Sequence, residues 1–394
     1  MDRAPCTVDH ICTWIYLDSP EESSEYPQVG KRSHLADFQK VYWRCVAVFF
    51  ALSTQFNPQR RHVLFSNQRP EAFPDLDGFD LKEFLKKKNV EIVTIPLTWQ
   101  TPEGYFGKWR NQFYIFDILK FIETQWSDGS GSQWSDDSKS SDHYAVNSSD
   151  DLESSDECAV AGGSDSSDDL ESSDEDKYII LDSDCIINRP LDALFAEIGK
   201  HGLMALPMPY SDTHNINGVT RQDMKRIFAE LDRIGGIPPA SPGKGAAENP
   251  VYYGGEIFAA TLPVIRQINA LAPLVWQDML ERHRAGQPKL NEEAHFLSYC
   301  YHRIGNFGSL EGFIKRIWTS PHYSNVQPED VKLPIWHLPS EKTGGIALIF
   351  KKLESKNWKL EELAGYVGVP KRKKYLNWRH FLKYTWLYRQ LKKT

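Results

Sequence analysis

The chain has 394 residues, 41% apolar and 12% aromatic, with a formal net charge of −7. That length allows about two or three domains, and the apolar content supplies a sizeable core, which excludes a small disulfide-stapled scaffold and global disorder. The longest unbroken apolar stretch is residues 45–52, too short to cross a bilayer, and no secretory leader pattern is visible.

In chain order, the apolar periodicity predicts a strand over residues 11–17, a helix over 34–55, a strand over 62–65, a helix over 81–88, a strand over 90–95 and a helix over about 108–124. After a polar interruption come a strand over 178–181, a helix near 191–198, a strand near 203–206, a helix near 221–234 and a Gly/Pro-rich loop over 235–250, long enough to serve as a lid. Strands alternating with helices predict an α/β fold, a mostly parallel sheet flanked by helices. The expected organisation is a nucleotide-binding half over residues 8–210, an acceptor-binding half over 211–345 and a basic aromatic tail over 346–394.

The interruption, residues 127–176, holds 16 acidic residues, 16 serines and one lysine. It cannot bury enough apolar surface to offset the entropy of ordering, so a disordered insert is expected. It carries a perfect duplication, SSDDLESSDE at Ser148 to Glu157 and at Ser166 to Glu175, too short and polar for a solenoid repeat. An expanded, tolerated loop accounts for it more simply than a phosphorylated tail or a partner for the basic C-terminus. The charge beyond the insert is the reverse: residues 351–394 carry 13 Lys or Arg against three Glu. Residues 371–394, read as a helix, put Tyr375, Trp378, Leu382 and Trp386 on one side and Arg372, Arg379 and Lys383 on another, which suits the headgroup zone of an anionic membrane; packing on the domain explains it equally well. No recognised nucleic-acid module accompanies this charge, so nucleic acid is not an expected partner.

The six cysteines contain no C-x-x-C pair, which points to reduced thiols and a cytoplasmic setting, peripheral to the membrane if the tail touches it. Cys6, His10 and Cys12 lie close in sequence, but no second pair of ligands follows at zinc spacing; ordinary core and loop roles are the stronger reading.

The chemistry-bearing feature is YIILDSDCI, starting at Tyr178: a short apolar strand that runs into Asp182-Ser183-Asp184. Ligand sites in open α/β sheets lie past the carboxyl ends of strands. Two carboxylates released there can face one hard cation, Mn²⁺ or Mg²⁺. Two turn-forming aspartates ending a strand are the plain alternative. About 70 residues on comes VYYGGEIFAAT from Val251, and then NEEAHFL from Asn291. Together these segments resemble GT-A glycosyltransferases, with the closest local likeness to retaining galactosyl- and N-acetylgalactosaminyltransferases of the blood-group A/B type, over roughly residues 81–337.

The resemblance implies a hexosyltransferase acting with retention, a nucleotide-sugar donor, UDP-linked, and a glycan or glycolipid acceptor. It assigns Asp182 to the ribose and the metal, Asp184 to the metal, and Gly254 and Gly255 to a close-approach strand where a Cβ would meet the donor sugar. Glu293 falls nearest the anomeric carbon, although the offset in Asn291-Glu292 leaves the choice between Glu292 and Glu293 open; Glu292 and Glu256 become secondary carboxylates and His295 an acceptor contact. Acidic residues at a helix start also favour the helix dipole by themselves. His337 is placed as a late metal ligand and Lys342 on the diphosphate, with a buried structural histidine as the alternative. Lys108 and Arg110, at the start of a helix, are candidates for phosphate or ribose contacts. Two other readings stand beside this one. A haloacid-dehalogenase-like phosphohydrolase also opens with D-x-D after a strand, but every Asp-Asp pair here lies in the insert and three candidate strands precede the motif. A non-catalytic binding or scaffold protein on the same fold is the second.

Overall fold

A computed structural model describes residues 8–26, 29–106, 111–126, 175–234, 249–320, 323–353 and 357–369. Its elements are β1 (Asp9–Ile15), β2 (Glu25–Tyr26), β3 (Lys31–Arg32), α1 (Ala36–Phe56), β4 (Arg61–Ser66), α2 (Leu81–Lys87), β5 (Val90–Thr94), α3 (Tyr114–Trp126), β6 (Lys177–Leu181) and β7 (Cys185–Ile187). These are followed by α4 (Asp192–His201), β8 (Leu203–Ala205), α5 (Arg221–Ile234), β9 (Ile257–Thr261), α6 (Leu262–Arg284), α7 (Glu293–Ile304), β10 (Gly308–Ser309), β11 (Ile314–Arg316), β12 (Ile335–His337), α8 (Gly345–Phe350) and α9 (Leu360–Val367).

Seven strands form the central sheet in the order β10-β8-β9-β6-β1-β4-β5. All neighbours run parallel except those of β9, which is antiparallel to both β6 and β8. The α/β class with a mostly parallel, helix-flanked sheet is therefore the architecture observed. Strand β9 comes from beyond the boundary expected at residue 210, so the sheet draws on both expected halves of the chain.

Both faces of the sheet are covered. Ile11, Leu64, Ile179 and Leu181 point into one core, filled by Trp43, Val46, Phe49 and Phe50 of α1. Their sequence neighbours Cys12, Val63 and Ile180 point into a second core with Phe113, Phe116, Ile265 and Phe296. Burial on two faces explains why these strands read as apolar runs without a polar alternation. A small second sheet, β11-β12-β7, extends from the D-x-D turn. The four described cysteines, Cys12, Cys45, Cys185 and Cys300, are free and buried.

Several expectations shift or fall outside this description. The first helix is observed at Ala36–Phe56, and the helix expected from about residue 108 begins at Tyr114. His10 stacks on the Tyr178 ring at 4.5 Å and sits 3.8 Å from Asp176, while Cys12 is core, so neither side chain is set aside for a cation; Cys6 lies outside the described residues. So do nearly all of the acidic insert, most of the 235–250 loop, the pair Lys108 and Arg110, and the tail 371–394. No helix among the described residues is long and apolar enough to cross a membrane.

Strand β6 lies between β1 and β9 with Ile179 fully buried. Truncation there removes packing that the two covering layers cannot recover by collapse, so Ile179→Ala is expected to cost about 2–5 kcal/mol, measured as a lower midpoint in urea at unchanged slope.

Candidate active site

The parallel strands β1 and β6 end at the same edge of the sheet, and a cleft of about 290 Å³ opens beyond them. Trp14, Tyr16 and Asp18 from the end of β1, Phe38 and Tyr42 from α1, and Asp182 and Asp184 from the end of β6 line it. Asp18 is buried and fastened, accepting hydrogen bonds from Ser33 Oγ and from Asn111 Nδ2, the latter at 3.0 Å.

The D-x-D turn is clamped by backbone bonds on both sides. Asp182 N–H donates to the Glu256 carbonyl at 3.1 Å, continuing the β6–β9 ladder by one step, and Cys185 N–H closes the turn onto the Asp182 carbonyl at 3.1 Å. Leu338 N–H donates to the Asp184 carbonyl at 3.2 Å. The chain then returns as β7, which pairs antiparallel with β12 and sets His337 opposite Cys185. That register brings a histidine more than 150 residues downstream to the aspartates: His337 Nε2 lies 3.6 Å from Asp182 Oδ2 and 3.4 Å from Asp184 Oδ1. One ligand atom from each of Asp182, Asp184 and His337 fall within 4.8 Å of one another, a set that could hold a divalent cation. Two carboxylates and an imidazole suit a borderline-to-hard ion, with positions left for phosphate oxygens and water.

Lys342 Nζ also bonds Asp184 and lies over the Tyr42 ring. Burial alone would raise the Asp184 carboxyl, but Lys342 and then His337 outweigh it and hold it well below the usual range. Asp182 keeps about a third of its side-chain surface open; burial, opposed by His337 and reinforced by Asp184 and Glu256, moves it up to about 6. Burial would lower His337, yet Asp184 and Glu256 raise it to about 9.

The remaining acids divide into two kinds. Glu256, just before β9, is fully buried, and Arg316 of β11 grips its two oxygens from Nε at 3.0 Å and Nη2 at 2.5 Å. Against the penalty of burial, Arg316 and His337 hold this carboxylate far below its ordinary range. Glu256 lines the cleft as the carboxylate of a fixed ion pair. Glu292 sits at the start of α7 and accepts from Tyr252 Oη at 2.8 Å and from Asn217 Nδ2. Glu293 lines the cleft as Glu256 and Glu292 do, but its Oε2 is buried with no hydrogen-bond partner among the described residues. Burial, then the neighbouring Glu292, pushes the Glu293 carboxyl well above the usual range. His295 lies one turn along α7 on the inner face, fully buried, 3.7 Å from Glu292 Oε1 and edge-on to the Tyr252 ring, and it is not among the residues that line the cleft.

Gly254 and Gly255 precede β9 instead of forming part of it, and Gly255 lines the cleft. A Cβ at Gly254 would collide with the Glu256 carboxylate, and one at Gly255 would stand 2.6 Å from Glu293 Oε1. Arg316 went unnoticed in the sequence, because a lone arginine 60 residues from its carboxylate carries no local motif.

Because Arg316 pins Glu256 whereas Glu293 has the cleft beside it, Gly254→Ala is expected to destabilise by about 1–3 kcal/mol through overpacking and Gly255→Ala by less, as read from denaturant midpoints. A cation bound at this group must displace the His337 proton. Below pH 9 the Mn²⁺ affinity should therefore rise about tenfold per pH unit, more steeply below pH 6 where Asp182 also holds a proton, and level off above 9; Mn²⁺ titrations across that range check the slope.

No protein-family model matches the chain. No curated protein sequence matches it either. Among solved structures, the crystal structure of an active-site mutant of LgtC is similar at a TM-score of 0.40 and 10% identity, over 88% of this chain and 95% of that one.

Proposed function

We propose that the chain is a metal-dependent glycosyltransferase of GT-A type, moving a sugar from a nucleotide-sugar donor, UDP-linked by the resemblance in sequence, to a glycan or glycolipid acceptor. The observation that carries this reading is the convergence of Asp182, Asp184 and His337 at the carboxyl ends of the parallel strands, with Glu293, whose Oε2 has no hydrogen-bond partner among the described residues, lining the same cleft.

Asp182, Asp184 and His337 are the residues that would hold Mn²⁺ or Mg²⁺, and the ion would supply charge neutralisation for a departing nucleoside diphosphate. Lys342 contributes a fixed positive charge at the same wall. Of the two neighbouring acids, Glu292 is committed to Tyr252 and Asn217, which leaves Glu293 as the carboxyl for the reacting centre. A carboxyl raised toward neutrality by burial is suited to exchanging a proton with an acceptor hydroxyl, and in its charged form to stabilising positive charge on the sugar. Glu256 serves the site through Arg316 and His337, without touching substrate. Against a phosphohydrolase stands the make-up of the cluster: among the described residues the possible metal group around Asp182 and Asp184 is completed by a histidine.

Screening a panel of nucleotide sugars for Mn²⁺-dependent release of nucleoside diphosphate tests the reading; no release with any donor, with or without acceptor sugars, overturns it. In the active combination, Asp184→Asn and His337→Ala should remove metal-dependent turnover. Glu293→Gln should lower kcat by about 10²- to 10⁴-fold while leaving the Mn²⁺ Kd within about twofold.

A further inference from the structure

The two ring nitrogens of His337 face different carboxylates. Nε2 looks to Asp182 and Asp184, and Nδ1, buried and without a hydrogen-bond partner among the described residues, lies at an ion-pair distance of 3.6 Å from Glu256 Oε1. Glu256 is fully buried, and a carboxylate in that position is costly unless it is paired. The two-pronged grip of Arg316 supplies the pairing and also fixes the plane of the carboxylate. Strand register makes the three groups neighbours: Arg316 on β11 pairs with His337 on β12, and Glu256 arrives at the head of β9, one ladder step from Asp182.

Which nitrogen of an imidazole binds a metal is decided by what the other nitrogen faces. Resting on the reading of the Asp–Asp–His group as a cation site, we propose that Glu256, braced by Arg316, is a positioning residue that holds the His337 proton on Nδ1 and thereby presents Nε2 to the metal. Glu256 does not itself meet the ion. It acts through His337, so its effect on metal affinity vanishes once the imidazole is gone.

A double-mutant cycle on Mn²⁺ binding tests this, with Kd read from the loss of the free-Mn²⁺ EPR signal at pH 7.5 and the metal-free melting temperature recorded for each protein. Glu256→Gln is expected to weaken Kd by about 10- to 100-fold. His337→Ala combined with Glu256→Gln should bind no more weakly than His337→Ala alone, because the two losses are one loss. Since Glu256→Gln strands the guanidinium charge, the paired variant Glu256→Gln/Arg316→Met removes both charges together and should show the same weakening. A merely structural role would lower the melting temperature and add its full factor on top of His337→Ala. Additivity, a Glu256→Gln Kd within twofold of wild type, or full recovery of affinity in the paired variant would each overturn the proposal. Failure of the wild-type protein to bind Mn²⁺ at all would instead sink the cation site on which it rests.

Discussion

The antiparallel pairing of β7 with β12 is the constraint on which the site depends, because it carries His337 back against the turn that begins at Asp182. That turn is held by the Glu256 carbonyl on one side and by Leu338 N–H on the other. Backbone hydrogen bonds in a water-poor environment are expensive to break without replacement. The spacing of the aspartates and the imidazole is therefore set by the sheet, and not by the rotamers of long side chains at a surface.

Charge balance follows from that geometry. Several carboxyl groups crowd the floor of the cleft, a costly arrangement unless each is matched. Arg316 matches Glu256, Lys342 and the His337 proton match Asp184, and burial, then Glu292, pushes the Glu293 carboxyl well above its usual range. Of the three cationic groups, His337 releases its proton at the lowest pH, about 9, since Lys342 and Arg316 are both raised above their higher usual values.

The two glycines before β9 show the same economy of space. Each would be an unremarkable loop residue if the neighbouring carboxylates were elsewhere, but Glu256 and Glu293 stand where their Cβ atoms would be. The turn must pass close to both acids to join β9 to the sheet beside β6. Shape in this corner is settled by the protein's own carboxylates, which then define the wall that a ligand would meet.

Much of the fold was legible in the sequence because burial leaves local marks. The apolar runs of β1, β4 and β6 and the helices between them follow from residue type and spacing, and Asp182-Ser183-Asp184 stands out because two acids directly after a buried strand must either turn or bind. What the sequence could not settle was the pairing of distant segments: that β9 enters the central sheet antiparallel, that Arg316 closes on Glu256, that His295 turns inward while Glu293 faces the cleft, and that His337 comes to rest beside the aspartates. Such outcomes depend on register and on which face of a helix is covered, and these are decided by packing energies summed over the whole molecule, in which no single stretch of residues holds a majority.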